Sequence, residues 1–398
     1  MKHVAVLGAG RIGRIHATNL SQLAGITLSA VCDTAPDMAE SLAQRLNTQA
    51  RSIDAVFADP TIDAVVIASP TSTHSDLIQR SAQAGKHIFC EKPIDLSTQR
   101  ALACAASVEQ AGVACMLGFQ RRFDPTFESI QQRLARGDIG KAEMLIITSR
   151  DPGAPPVDYL RQSGGVFRDM LIHDFDMFRW MLDDDAVWLS ATGACLTDPA
   201  IAEAGDIDSA VVSIRTRSGR LCQINTSRRA AYGYDQRLEV LGSTGLLAAG
   251  NVRPVEVTHM DANGTTGANP EAFFLERYRI AYQRELAHFF ETLQSGGAFR
   301  TSIHDGVAAQ RLADAAAQSL ATGQAVQLDA AEGSSKPRSR RFASALPAWA
   351  GSAGATQRTS RTASAAPVWS APAARCAPSL RPPPRSWASS APPPRSRK

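Results

Sequence analysis

Along the first third of the chain, short apolar runs alternate with stretches whose apolar positions recur every three to four residues. Residues 4–7 form a compact apolar run, followed by a glycine-rich turn and a helical pattern over about 11–22. Residues 27–32 predict a second strand. Pro36, whose missing N–H is harmless in a first helical turn, opens a helix that runs to about residue 46. Residues 64–68 and 87–90 read as further buried strands. Residues 75–84 and 97–110 read as helices closed by Gly85 and Gly112, and residues 113–117 complete the series. Strands alternating with helices in this way join through right-handed crossovers into a parallel sheet. The expectation is an α/β chain that begins with a Rossmann dinucleotide-binding domain over residues 1–120.

The rhythm changes beyond residue 120. A strand is predicted over 142–149, after which Pro152, Pro155 and Pro156 force an extended loop. An amphipathic helix follows over about 165–182. Longer strands are predicted over 209–215, 221–227 and 236–242, the first two separated by the hairpin signal Ser218-Gly219. Helices over 277–293 and 305–322 close the pattern. Residues 121–330 are therefore expected to form an α+β domain with a largely antiparallel sheet. After that the periodicity vanishes. Half of the 22 prolines lie beyond residue 336, mixed with Ala, Ser and Arg, so residues 334–398 are expected to be a disordered basic tail.

That tail changes how the charge is read. The formal net charge is +4, yet the residues from Ser334 onward carry 12 Lys or Arg and no Asp or Glu, leaving −8 on the rest. No nucleic-acid partner is therefore expected for the main body. No apolar run approaches the roughly 18 residues of a membrane span, and the first residues read as a strand, so a cytoplasmic protein with no membrane partner is expected. Seven cysteines fall in no metal-ligand spacing. Cys32, Cys90, Cys104 and Cys115 lie in apolar stretches, where a reduced thiol packs as a small hydrophobe, and no metal is expected.

Candidate chemistry begins at Gly8-Ala9-Gly10-Arg11-Ile12-Gly13, which follows the first strand and opens the first helix. There Gly8 allows a tight turn, Gly10 lets a pyrophosphate approach the backbone and Gly13 lets helix and strand pack closely. Free N–H groups at the positive helix end, those of Arg11 and Ile12 among them, are suited to phosphates. Asp33 stands 20 residues after Gly13, at the end of the second strand. A carboxylate there accepts from a ribose 2′-OH and repels a 2′-phosphate, which favours NAD over NADP.

Two further loops fall on the same carboxyl rim. Ser69, Thr71 and His74 follow one strand, and Glu91 and Lys92 of Glu91-Lys92-Pro93 follow the next, so all are candidate cofactor contacts. A loop lysine is ordinarily a solvated charge; beside a nicotinamide pocket it is a candidate acid/base group or hydroxyl donor. Asp169 and His173 stand four apart on one face of the 165–182 helix, flanked by apolar Met170, Ile172 and Phe175. Alone, the pair reads as a partly buried histidine bonded to its carboxylate neighbour. Beside a cofactor domain it suits oxidation of a secondary alcohol, in which a neutral imidazole takes the hydroxyl proton while a carboxylate orients the ring.

Taken together, these residues resemble the Gfo/Idh/MocA oxidoreductases over roughly residues 2–328. The resemblance is carried by the GxGxxG, by Glu91-Lys92-Pro93, by Gly118-Phe119-Gln120-Arg121-Arg122-Phe123-Asp124-Pro125, and by Gly164-Gly165 leading to Asp169 and His173. Ser149-Arg150-Asp151-Pro152, the 227–235 segment and the 273–290 run are similar to the inositol-oxidising branch. The resemblance implies Lys92, Asp169 and His173 as the catalytic group, with Arg122, Asp151 and Tyr232 or Tyr234 as substrate contacts. It further implies a homotetramer built through the second-domain sheets, and a small polyol substrate, myo-inositol, oxidised at C2 to 2-inosose with His173 as base. Some relatives carry His-Arg-Asn-Pro where this chain has Ser149-Arg150-Asp151-Pro152. Dehydrogenation of scyllo-inositol or a pyranose, and dinucleotide sensing without catalysis, are the alternatives; the last expects Lys92 or the Asp169–His173 pair to be missing.

Overall fold

The structure is a computed structural model that describes residues 1–328, so the expected tail at 334–398 lies outside the described residues. Val4, Ala5, Val6 and Leu7 are fully buried in strand β1 (Lys2–Leu7). Around it lie β2 (Ile26–Cys32), β3 (Gln49–Ala50), β4 (Ala64–Ile67), β5 (His87–Glu91) and β6 (Cys115–Gly118). All pair in parallel, in the order β3-β2-β1-β4-β5-β6. Crossovers run through α1 (Arg11–Ser21), α2 (Pro36–Arg45), α3 (Ile53–Ala58), α4 (Thr71–Gln83) and α5 (Thr98–Ala111). Helices on both faces explain why the central strands are continuously apolar rather than alternating. The strand order reverses between β1 and β4, and the crevice at their carboxyl ends is where such sheets bind ligands. Helix α4 begins at Thr71, not near residue 75, because Pro70 loses nothing as its N-cap: a proline lacks an N–H that a helix start would leave unbonded anyway.

A 3-10 turn (Gln120–Phe123) and α6 (Pro125–Arg136) lead into the second domain. Its main sheet holds β7 (Ala142–Arg150), β8 (Ala186–Ala194), β9 (Ser209–Thr216), β10 (Leu221–Ser227), β11 (Asp235–Gly242) and β12 (Gly245–Ala249). A separate hairpin of β13 (Thr258–Asp261) and β14 (Gly264–Gly267) follows, and β15 (Val326–Gln327) returns to the sheet edge. The order is β12-β11-β7-β10-β9-β8-β15, antiparallel except between β7 and β10. The chain is thus an α/β molecule with a Rossmann-type first domain and a largely antiparallel second sheet.

The single helix expected over 165–182 is instead α8 (Gly165–Asp169) and α9 (Ile172–Leu182), preceded by α7 (Val157–Ser163). At the junction both Met170 N and Leu171 N donate to Val166 O, so the chain gains an extra residue in one turn. After α10 (Pro199–Glu203) and α11 (Phe274–Arg277), the last helices, α12 (Arg279–Ser295) and α13 (Ile303–Thr322), turn back towards the first domain. Helix α12 packs on α1, and α13 packs on α5, β6 and α9. No described helix is long and apolar enough to cross a membrane. Cys32, Cys90, Cys104 and Cys115 are buried free thiols.

Candidate active site

The glycine-rich turn and the ends of β2 and β4 form one wall of the crevice. Gly8 has φ +111°, and a Cβ there would stand 2.5 Å from Ala68 O, so the turn closes tightly on the end of β4. A Cβ at Gly13 would lie 1.9 Å from Gly8 O, which seats α1 directly on the turn. A Cβ at Gly10 would meet nothing within 4 Å; this is the open side, with Arg11 and Ile12 in the first turn of α1 beyond it. Asp33 accepts hydrogen bonds from Ala9 N at 2.7 Å and Ala35 N at 2.9 Å, so its carboxylate is fixed beside the turn. A bare helix start, an unobstructed glycine and a carboxylate at the end of β2 together fit the pyrophosphate and ribose of NAD.

The neighbouring rim is more structural than expected at two positions. Ser69 Oγ lies 2.6 Å from Thr73 Oγ1, and Thr71 opens α4 at the rim. His74, expected as a cofactor contact, is instead buried under the rim, with Nε2 2.9 Å from Ser69 O and Nδ1 2.7 Å from Pro93 O. Burial lowers its pKa, and the ring, whose single N–H in the neutral form donates to one of these two carbonyls, packs between the rim loops rather than facing a ligand. Glu91 likewise points inward, to His16 Nε2 at 2.6 Å.

Lys92 does reach Asp169, though chiefly through the backbone. Lys92 Nζ donates to Asp169 O at 2.8 Å and lies 3.9 Å from Asp169 Oδ1. The carboxylate of Asp169 accepts from Tyr159 OH at 2.8 Å and from both terminal nitrogens of Arg228 at 3.2 Å. It does not bond His173. The expected pair fails because the α8–α9 junction removes the helical i, i+4 relation, while Arg228 and Tyr159 draw the carboxylate away. His173 has no hydrogen bond to either ring nitrogen among the described residues; its Nδ1 is buried unpartnered and its ring meets Phe119 edge-on at 6.1 Å. Burial first, then the charges of Lys92 and Arg121, pushes its pKa well below 6.5. The imidazole is therefore held neutral, able to accept a proton.

The substrate-contact expectations divide. Asp151 sits among Arg228, Asp169, Arg121 and Lys92; burial, aided by Asp169 and opposed by Arg228, raises its carboxyl to about 6. Tyr234 is buried against Phe273 and Tyr278, within electrostatic reach of Arg121 and Asp151. Tyr232 is half exposed on the sheet surface, bonded to Asp235 Oδ2 at 2.5 Å and Arg150 Nη1 at 3.0 Å. Arg122 is buried in a structural network, donating to Asp176, Asp305 and Arg300 O, which takes up all but one of its N–H groups. Its neighbour Arg121 faces His173 instead, bonded to Asp174 at 2.5 Å and Ser149 at 3.3 Å.

Two contributors escape sequence reasoning. Arg228, 1% exposed, clamps Asp169 and Asp206, and Tyr159 comes from α7, which follows the proline-broken loop. Arg228 lies inside the 227–235 segment, but an arginine among arginines carries no signal for burial.

Residues 2–119 match the oxidoreductase family, NAD-binding Rossmann fold, and residues 131–328 match the oxidoreductase family, C-terminal alpha/beta domain, of the Gfo/Idh/MocA group. The chain is 49% identical over 323 residues to an inositol 2-dehydrogenase of Rhizobium meliloti, covering 81% of this chain and 98% of that one. It is similar to the crystal structure of a myo-inositol dehydrogenase from Corynebacterium glutamicum, with TM-score 0.79 and 44% identity over 83% of this chain and all of the other. A scyllo-inositol dehydrogenase from Lactobacillus casei, with NAD(H) and scyllo-inositol bound, gives TM-score 0.78 at 27% identity over 82% of this chain and 99% of that one.

Proposed function

The chain belongs to the Gfo/Idh/MocA oxidoreductase family, and on that premise we propose that this NAD-dependent enzyme oxidises myo-inositol at C2 to 2-inosose in inositol catabolism. The observation that carries the reading is a buried His173, its Nδ1 unpartnered, beside a Lys92 whose amine is fixed by Asp169. The turn at residues 8–13 and Asp33 would hold NAD, which when bound supplies the hydride acceptor. Lys92 donates a hydrogen bond to the reacting hydroxyl oxygen. His173 takes that hydroxyl proton, for which its depressed pKa keeps it ready. Asp169 acts on Lys92 rather than on the imidazole: its carbonyl orients the amine, while Arg228 and Tyr159 immobilise its carboxylate. Asp151 and Tyr234 would bond the remaining hydroxyls.

His173→Ala is expected to lower turnover by roughly 10²–10⁴-fold, the usual worth of a general base, with NAD affinity barely changed. Initial rates of NAD reduction with myo-inositol, scyllo-inositol and pyranoses test the substrate. Near-normal turnover in the variant, or no NAD reduction with any polyol, defeats the reading; the second result favours a sensing role.

A homotetramer is part of the same proposal. Leu221, Met144, Leu241 and Leu246 stand in register across β10, β7, β11 and β12, all substantially exposed. An apolar row of this kind on an open sheet face suits a second copy of the chain.

A further inference from the structure

Beneath the rim, three titratable side chains meet that the proposed reaction does not use. His16 of α1, Glu91 at the end of β5 and Glu285 of α12 each bring one ring nitrogen or carboxylate oxygen within 4.8 Å of the others. His16 Nε2 lies 2.6 Å from Glu91 Oε1. Glu285 is 0% exposed, and neither of its oxygens has a hydrogen-bond partner. The surroundings are aromatic: the His16 ring meets Phe89 at 5.1 Å and Tyr282 at 5.8 Å, both edge-on. Among the described residues, no Lys or Arg forms an ion pair with Glu91 or Glu285.

Two carboxyl groups this close and this dry cannot both be ionised, because each charge is desolvated and repels the other. A proton or a cation must neutralise the pair. The geometry speaks against a cation, since two ligands of one tetrahedral ion at ~2.1 Å stand roughly 3.4 Å apart. The 2.6 Å between His16 and Glu91 is instead a direct hydrogen bond. Glu91 already has a partner on one oxygen. An ionised Glu285 would bury two unpaired oxygens, so the proton belongs there.

We propose that Glu285 is a neutral carboxylic acid facing Glu91 across less than 4.8 Å, and that this cluster with His16 positions Lys92. Burial, reinforced by the Glu91 charge, lifts the Glu285 carboxyl well above its usual range. The titratable groups facing it are Glu91, His16 and Tyr282. Glu91 is also confined from the β6 side: a Cβ on Gly118 would stand 3.1 Å from its carboxylate. Bonded by His16 and hemmed in by Gly118 and Glu285, Glu91 fixes the backbone from which Lys92 projects. Glu285 is thus a positioning residue, and its catalytic relevance rests on Lys92 donating to the reacting oxygen.

Infrared spectroscopy of the full-length enzyme at about pH 8, well above the ordinary glutamate range, tests the proton directly. The unsubstituted protein is expected to show a protonated-carboxyl carbonyl band that Glu285→Gln lacks. Glu285→Gln, which keeps the shape and neutrality of the protonated acid, should keep near-normal turnover. Glu285→Leu should lose about 10–10²-fold in kcat with the KM for NAD unchanged, the scale of a small misplacement at a reacting group. If the leucine variant does not fold, the band and the glutamine variant decide. The proposal is overturned by the absence of that band, by a stoichiometric metal in the purified protein that Glu285→Gln releases, or by a leucine variant as active as the others. Should the unsubstituted enzyme reduce NAD with no polyol, the substrate reading falls alone, and the infrared comparison still decides where the proton sits.

Discussion

At the scale of single residues, the site is an arrangement of charges around one neutral imidazole. Burial, with the charges of Lys92 and Arg121, pushes the pKa of His173 well below 6.5, so it is neutral through the near-neutral range. Asp151, raised to about 6, is the group that titrates in that range. As pH falls through about 6 it gains a proton and stops accepting from substrate hydroxyls, so kcat/KM should fall there. Asp151→Asn should abolish that inflection and lower the plateau; the same inflection in the variant would assign it elsewhere. Arg228 has the opposite burden, compensating two carboxylates at once. Arg228→Leu leaves Asp169 and Asp206 with a buried deficit, and urea denaturation should register a loss of about 3–5 kcal/mol.

At the scale of elements, the glycine-rich turn and the α8–α9 junction place the chemistry. Gly13→Ala drives a Cβ into Gly8 O, so α1 must lift away from the turn. Fluorescence titration with NADH should show affinity weakened roughly tenfold or more, about 1.4 kcal/mol, while unaltered binding would mean that the turn adjusts freely. The junction at Met170 and Leu171 has a different consequence. By breaking one long helix it aims Asp169 at Lys92 and leaves His173 unencumbered, which no continuous helix over those residues allows. Periodicity foretold a helix on each side of the break but not the break itself, because Met170 and Leu171 suit a helix interior.

At the scale of the whole molecule, α12 and α13 bind the two sheets into one framework: α12 carries Glu285 to Glu91, and α13 packs against β6, α9 and β8. The exposed row on the second sheet predicts that Leu221→Asp lowers the mass measured by sedimentation towards that of a dimer or monomer. An unchanged mass would place the oligomer contact elsewhere.

The sequence by itself determined the Rossmann domain, its NAD turn and the antiparallel character of the second sheet, while the grouping of Lys92, Asp169 and His173 came from the family resemblance. The first three rest on local rules: apolar period, glycine sterics and residue types at the carboxyl ends of strands. Only the tertiary structure decided which side chains are free. Asp169 bonds Arg228 instead of His173, Arg122 bonds Asp176, His74 packs between the rim loops, and Tyr234 rather than Tyr232 lies inward. The reason is physical. A buried polar group takes whichever partner the fold brings within about 3 Å, and partners 59 or 54 residues away are not written in any local spacing.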